Sequence, residues 1–254
     1  MEENIISTVQ DRILTVRINR LDKKNALTRA MYIAMTEAIR GADEDRGVRV
    51  ILLTGSDDCF TAGNDIADFA AAKPGETPVA LEYLRVLAAA KKPVIAAVAG
   101  VAIGIGTTML LHCDLVYAAD TARFQLPFVN LGLCPEAGSS VILPMLLGHQ
   151  EASELLFFGE PFGSEAARRL GLVNHTLAPH ELMPKTLERA QQLAEKPPSS
   201  LRVTKMLLKS GTRDAVAKAM DRETEQFAAL LQGQEAKEAM MAFLQRRKPD
   251  FSKF

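Results

Sequence analysis

Thr61-Ala62-Gly63-Asn64-Asp65-Ile66 and Ala99-Gly100-Val101-Ala102-Ile103-Gly104-Ile105-Gly106 decide how this chain is read. Each glycine-punctuated stretch follows an apolar, strand-like run, Val50–Leu53 and Val94–Val98, and each leads into a helical pattern. Two strand-to-helix turns of this kind can aim backbone N–H groups at one point, and a pair of such donors is what a developing oxyanion needs. The chemistry expected is therefore chemistry at a carbonyl. Neither turn is a nucleotide fingerprint. The spacing lacks a third glycine and a placed ribose-binding acid, and no Gly-Lys-Ser/Thr follows.

Outward from these turns the pattern is α/β. Ile5–Gln10 and Ile13–Asn19 alternate around Asp11-Arg12 as a hairpin. Thr28 is a good N-cap for a helix running to about Asp45, with Met31, Met35, Ala38 and Ile39 on one face. Val48–Leu53, Val94–Val98, Leu115–Ala119 and Val173–Leu177 read as strands. Helices are expected at Ile66–Ala71, Val79–Ala90, Thr107–His112, 138–147, 150–158, Ser164–Leu170 and Glu181–Glu195, with Lys73–Pro78 a loop. Lys196-Pro197-Pro198 marks a boundary. The expectation is an α/β core over residues 1–197 and an all-helical tail over 198–254, broken at Gly211 and Gly233, with no exact sequence repeat.

Composition narrows the function classes. The 254 residues are 48% hydrophobic and 24% charged, as in an ordinary globular protein. A net charge of −1 argues against bulk attraction to nucleic acid. No apolar run is long enough for a bilayer, and the first residues show no signal or transit pattern. The three cysteines, Cys59, Cys113 and Cys134, form no Cys-x-x-Cys, so reduced thiols in a cytoplasmic compartment are expected. His112, His149, His175 and His180 have no metal-ligand spacing, so no metal is expected and structural roles suit them. No Gly-x-Ser-x-Gly is present, and Ser139-Ser140 reads as the first turn of a helix.

Glu136 stands out because Leu131–Gly138 is otherwise uncharged. A carboxylate there either caps the following helix or is buried with a raised pKa, which would suit a general base near neutral pH. The residues alone leave both open. Asp65 and Asp68 read as charges at a helix N-terminus. Arg20, Lys23, Lys24 and the tail around Arg246 form basic runs that suit either a solvated face or a phosphorylated ligand.

Taken together these residues resemble the crotonase, or enoyl-CoA hydratase/isomerase, superfamily over nearly the whole chain. The resemblance rests on Ile18–Leu27, Phe60–Ile66, Lys92–Gly106, Cys113–Ala118 and Gly159-Glu160-Pro161-Phe162. It implies a spiral of ββα units followed by a helical trimerisation region, and so a homotrimer or dimer of trimers. It implies an acyl-CoA substrate, with coenzyme A part of that substrate and no separate cofactor. The resemblance assigns oxyanion donors to the backbone N–H groups of Ala62 and Ile105, and contacts with CoA to Arg20, Lys23, Lys24, Ala26, Ala62, Asp65, Ile66 and Arg246. Hydratases of the family carry glutamates where this chain has Thr108 and Phe128. Glu136 instead matches the glutamate of peroxisomal-type Δ3,Δ2-enoyl-CoA isomerases. The resemblance therefore implies a 3-enoyl-CoA to 2-enoyl-CoA isomerase with Glu136 as the single acid/base. Other crotonase reactions, thioester hydrolysis or hydration, and a non-catalytic acyl-CoA binding protein are the rival readings.

Overall fold

The structure is a computed structural model that describes residues 3–65, 68, 78–245 and 247–254. Apart from Asp68, the expected helix Ile66–Ala71 lies outside the described residues, as do most of the Lys73–Pro78 loop and the site residues Ile66 and Arg246.

Strands β1 (Ile5–Gln10) and β2 (Ile13–Ile18) form the expected hairpin. Asp11 and Arg12 both take positive φ, 49° and 64°. That pairing matches the twist of the flanking strands in a two-residue turn. Helix α1 (Arg29–Glu44) starts where Thr28 Oγ1 accepts the Met31 N–H. It buries Met31, Met35 and Ile39, each worth about 2 kcal/mol of apolar burial.

The remaining strands alternate between two sheets. The larger sheet orders β1-β2-β3-β5-β7-β10, with β3 (Val50–Thr54), β5 (Val94–Val98), β7 (Leu115–Ala119) and β10 (His175–Leu177). From β2 onward its pairs are parallel. Both β3 and β5 are buried along their whole length, which explains their unbroken apolar spelling. The smaller sheet orders β4-β6-β8-β9, with β4 (Cys59–Thr61), β6 (Val101–Ile103), β8 (Arg123–Gln125) and β9 (Phe162–Gly163). Successive strands thus go one to each sheet: β3 then β4, β5 then β6, β7 then β8. This is a spiral of ββα units repeated in space without a repeat in sequence.

The smaller sheet corrects the sequence reading. The turn at Ala62-Gly63 follows β4 rather than β3, and Gly104-Ile105-Gly106 follows β6 rather than β5. Strands of two or three residues carry no readable alternation. The two turns are nonetheless neighbours, because β4 and β6 are parallel partners. Their contact is close. Gly63 has φ 93°, and a Cβ there would lie 2.8 Å from the Ile103 carbonyl oxygen, so only glycine fits without displacement.

Between and after the strands lie α2 (Val79–Ala89), α3 (Ile105–Thr108), α4 (Ser139–Leu147), α5 (His149–Phe158), α6 (Ser164–Arg169) and α7 (Pro179–Ala194). The tail is α8 (Pro198–Ser210), α9 (Arg213–Leu231) and α10 (Gln234–Leu244), with its breaks at Gly211 and Gly233. Helix α9 packs on α2 and α4. Buried Lys205 on α8 ties the tail to the core by donating to Asp114 Oδ2 at 2.7 Å and to the Lys92 carbonyl. Among the described residues no helix is long and apolar enough to cross a membrane.

Candidate active site

Asn25 organises the approach to the site. It is fully buried, and its side chain accepts the Arg20 N–H at 2.7 Å and donates to the Cys59 carbonyl at 2.7 Å. Thr61 Oγ1 donates back to the Asn25 carbonyl. This network clamps the Arg20–Leu27 segment onto β4. The same clamp consumes the Ala62 N–H, which donates to the Lys24 carbonyl at 3.0 Å. Ala62 is therefore corrected as an oxyanion donor: its N–H is spent on the fold.

Asn64 has the free geometry instead. It forms an isolated parallel bridge with Leu27, in which Leu27 N–H donates to Gly63 O and Asp65 N–H donates to Leu27 O. A parallel bridge made through the flanking groups turns the N–H of Asn64 itself to the opposite side. No described residue accepts from it. Ile105, the second expected donor, opens α3, where an N–H has no intrahelical partner. Its backbone is not at positive φ, so isoleucine is compatible with that position.

Asn64 and Glu136 line one cavity of about 390 Å³, with Tyr32, Asp65 and Asp68. Its remaining wall is largely apolar: Leu27, Val79, Leu81 and Leu84 from one side, and Phe227, Ala228 and Leu231 of α9 from the other. The tail expected to oligomerise thus also furnishes the cavity. Tyr32 Oη donates to Asn64 Oδ1 at 2.6 Å, fixing that side chain.

Glu136 sits on the turn before α4. Burial pushes its pKa up to about 7, the nearby Glu223 carboxylate pushes in the same direction, and a hydrogen bond from Thr108 Oγ1 opposes them. Thr108, noted in the sequence only for what it replaces, is thus a direct partner of the carboxyl. Glu136 also does part of the capping work through its carbonyl, which accepts from Ser139 N–H and Oγ. His112 Nε2 meets the Ala137 carbonyl at 2.8 Å, and burial lowers its pKa to about 4, so it is a neutral structural donor. Phe128 is buried and is not part of the cavity wall.

Of the residues expected to touch CoA, Asp65 reaches the cavity wall. Arg20 stands behind it, donating to Asp65 Oδ2 at 2.7 Å and to the Ala26 carbonyl at 3.0 Å. Asp65 Oδ1 accepts the Asp68 N–H, the i to i+3 pattern of a helix cap. Lys23 and Lys24 are exposed at the end of a short 3₁₀ turn outside the cavity.

Residues 8–253 match the family model described as enoyl-CoA hydratase/isomerase. The chain belongs to the enoyl-CoA hydratase/isomerase family. It is an enzyme of that family by the same finding, and its relatives divide by name. A crotonyl-CoA hydratase of Syntrophomonas wolfei is 34% identical, covering 98% of each chain. Enoyl-CoA delta isomerase 2 of Rattus norvegicus is 31% identical over 96% of this chain and 64% of its own. A crystal structure of an enoyl-CoA hydratase/isomerase from Pseudoalteromonas atlantica superposes with a TM-score of 0.93 at 37% identity, over 98% of this chain and 100% of that one. This agreement confirms the family's α/β fold for the chain.

Proposed function

We propose that this enzyme moves the double bond of a 3-enoyl-CoA to position 2, with Glu136 as its single acid/base. The observation that carries this reading is the Glu136 carboxyl: enclosed beside an apolar cavity, with a pKa of about 7. At that value it exchanges a proton readily near neutral pH. As a carboxylate it takes a proton from C2. The C2–H electron pair becomes the C1=C2 bond, the carbonyl π pair moves onto the thioester oxygen, and the intact C3=C4 bond conjugates with the new one as a dienolate. The N–H groups of Asn64 and Ile105 hold that oxygen, each worth about 2.7–4 kcal/mol in comparable sites. Protonated Glu136 then returns the proton to C4: the C3=C4 pair takes it, the C1=C2 pair becomes C2=C3, and the oxygen's charge collapses back into the carbonyl. The apolar wall keeps water away from the dienolate. On this reading Arg20, Lys23, Lys24, Ala26 and Asp65 contact the CoA, and the reaction uses no cofactor beyond the substrate's own CoA.

Thr108 and Phe128 favour isomerisation over hydration, since neither supplies a second carboxylate to activate water. The test is a panel of 3-enoyl-CoA and 2-enoyl-CoA thioesters offered to wild type and Glu136→Gln. Wild type is expected to convert the 3-enoyl thioesters to 2-enoyl thioesters, and Glu136→Gln to lose at least about 10²-fold in kcat while remaining folded. Formation of a 3-hydroxyacyl product or free CoA instead would overturn the isomerase reading. Binding without turnover would mark an idle acyl-CoA binder. Asn64→Ala is expected to retain kcat within a few-fold, because the donor is backbone.

A further inference from the structure

Helix α9 buries one charged side chain, outside the cavity wall. Glu223 is only 7% exposed, and its Oε2 accepts the Gly138 N–H at 2.6 Å while Oε1 accepts the Ser140 N–H at 2.9 Å. The two acceptors grip the turn immediately after Glu136. That turn needs gripping, because Ala137 and Gly138 both take left-handed φ, 66° and 71°, and a non-glycine residue is there at a cost. The fit between helix and turn is close. A Cβ on Gly138 would lie 2.8 Å from a Val216 methyl of the same α9.

We propose that Glu223 is a positioning residue for Glu136, clamping from the tail helix the turn that aims the carboxylate into the cavity. The inference rests on the role of Glu136 given above. A clamp of this kind needs acceptors, and a glutamine supplies only one. The choice of a carboxylate adds a second consequence. Its negative charge stands near Glu136 and makes ionisation of Glu136 harder. The other polar groups around Glu136 are Thr108 from α3, Tyr32 from α1, His112 from the 3₁₀ turn after α3, and Cys134 on its own loop. Asp65, Asp68 and Arg29 line the same cavity. Burial keeps Tyr32 and Cys134 in their neutral forms and His112 unprotonated near pH 7. Of the two carboxylates on the turn and the clamp, only Glu223 holds the backbone after Glu136.

The experiment is carried out on the full chain. Glutamate ¹³C-labelled at the side-chain carboxyl gives the titration midpoint of Glu136 by NMR, its resonance assigned by its loss in Glu136→Gln. In Glu223→Gln, removal of a like charge is expected to lower that midpoint by about 0.5 unit. The acidic limb of the kcat profile moves the same way, kcat falls about 5–10-fold, and KM changes less than about 3-fold. In Glu223→Ala, with both N–H groups abandoned, kcat is expected to fall about 10–100-fold. A midpoint unmoved in Glu223→Gln would overturn the proposal, as would a kcat unmoved in an enzyme that Glu136→Gln inactivates. The NMR midpoint needs no turnover, so it still decides the role of Glu223 if Glu136→Gln stays active and the isomerase reading fails. If Glu223→Ala does not fold, Glu223→Gln decides.

Discussion

A carboxyl enclosed by protein holds its proton more tightly than one in water, and Glu136 has that property partly relieved by Thr108. Two outcomes follow at this scale. Thr108→Val removes a donor that favours the charged form, so the acidic limb of the kcat profile is expected to move to higher pH, opposite to Glu223→Gln. A pH–rate series on both variants checks the signs. The native state also binds the Glu136 proton more tightly than the unfolded chain, whose value is about 4.3. Stability from this group is therefore fully present below about 4.3 and is lost as pH rises through about 7. Glutamine imitates the protonated form, so Glu136→Gln is expected to melt higher than wild type at pH 8, with the difference vanishing near pH 4. Melting curves at the two pH values measure it.

At the scale of elements, the contact between the two glycine turns is the tightest constraint. Gly63→Ala combines an unfavourable φ with a Cβ pressed against the Ile103 carbonyl, and is expected to cost about 2 kcal/mol or more in urea unfolding. How much of this was legible differs from one element to the next. The hairpin at Asp11-Arg12, α1 after Thr28, and the strands β3, β5 and β7 are long enough for their spelling to show. The strands β4, β6, β8 and β9 span two or three residues each, and their place in a second sheet is decided by tertiary pairing. Glu136 was visible as the lone charge in an apolar stretch. Glu223 was not, because Asp221, Arg222 and Glu225 surround it with ordinary helix-surface charge. Ala62 was misassigned because a sequence shows a glycine turn but not which of its N–H groups the fold has already spent.

At the scale of the molecule, the described surface leaves apolar side chains together on the tail. Val203, Met206, Leu207 and Leu208 of α8 are 50–79% exposed, and Phe243 and Leu244 of α10 are also open. Exposed apolar surface of that kind marks interaction sites, and light scattering is expected to return a homo-oligomer rather than a monomer, with a Leu208→Glu variant shifted toward smaller species. The cavity meanwhile is bounded by the α/β core on one side and by α9 on the other. Because Glu223 reaches the turn beside Glu136, Thr224 lies at the reactive end of α9, with Phe227 and Ala228 one turn further on and Leu231 two. From 224 to 231 the axis advances about 10 Å. On the proposed reading an acyl chain bound in this cavity runs beside α9, which then acts as a measuring rod. A bulky side chain at 231 would exclude only long substrates, while the same change at 228 would turn away shorter ones. Chain-length preference is then expected to shift along that rod, read as kcat/KM over a series of acyl lengths, while the proton chemistry stays with the core.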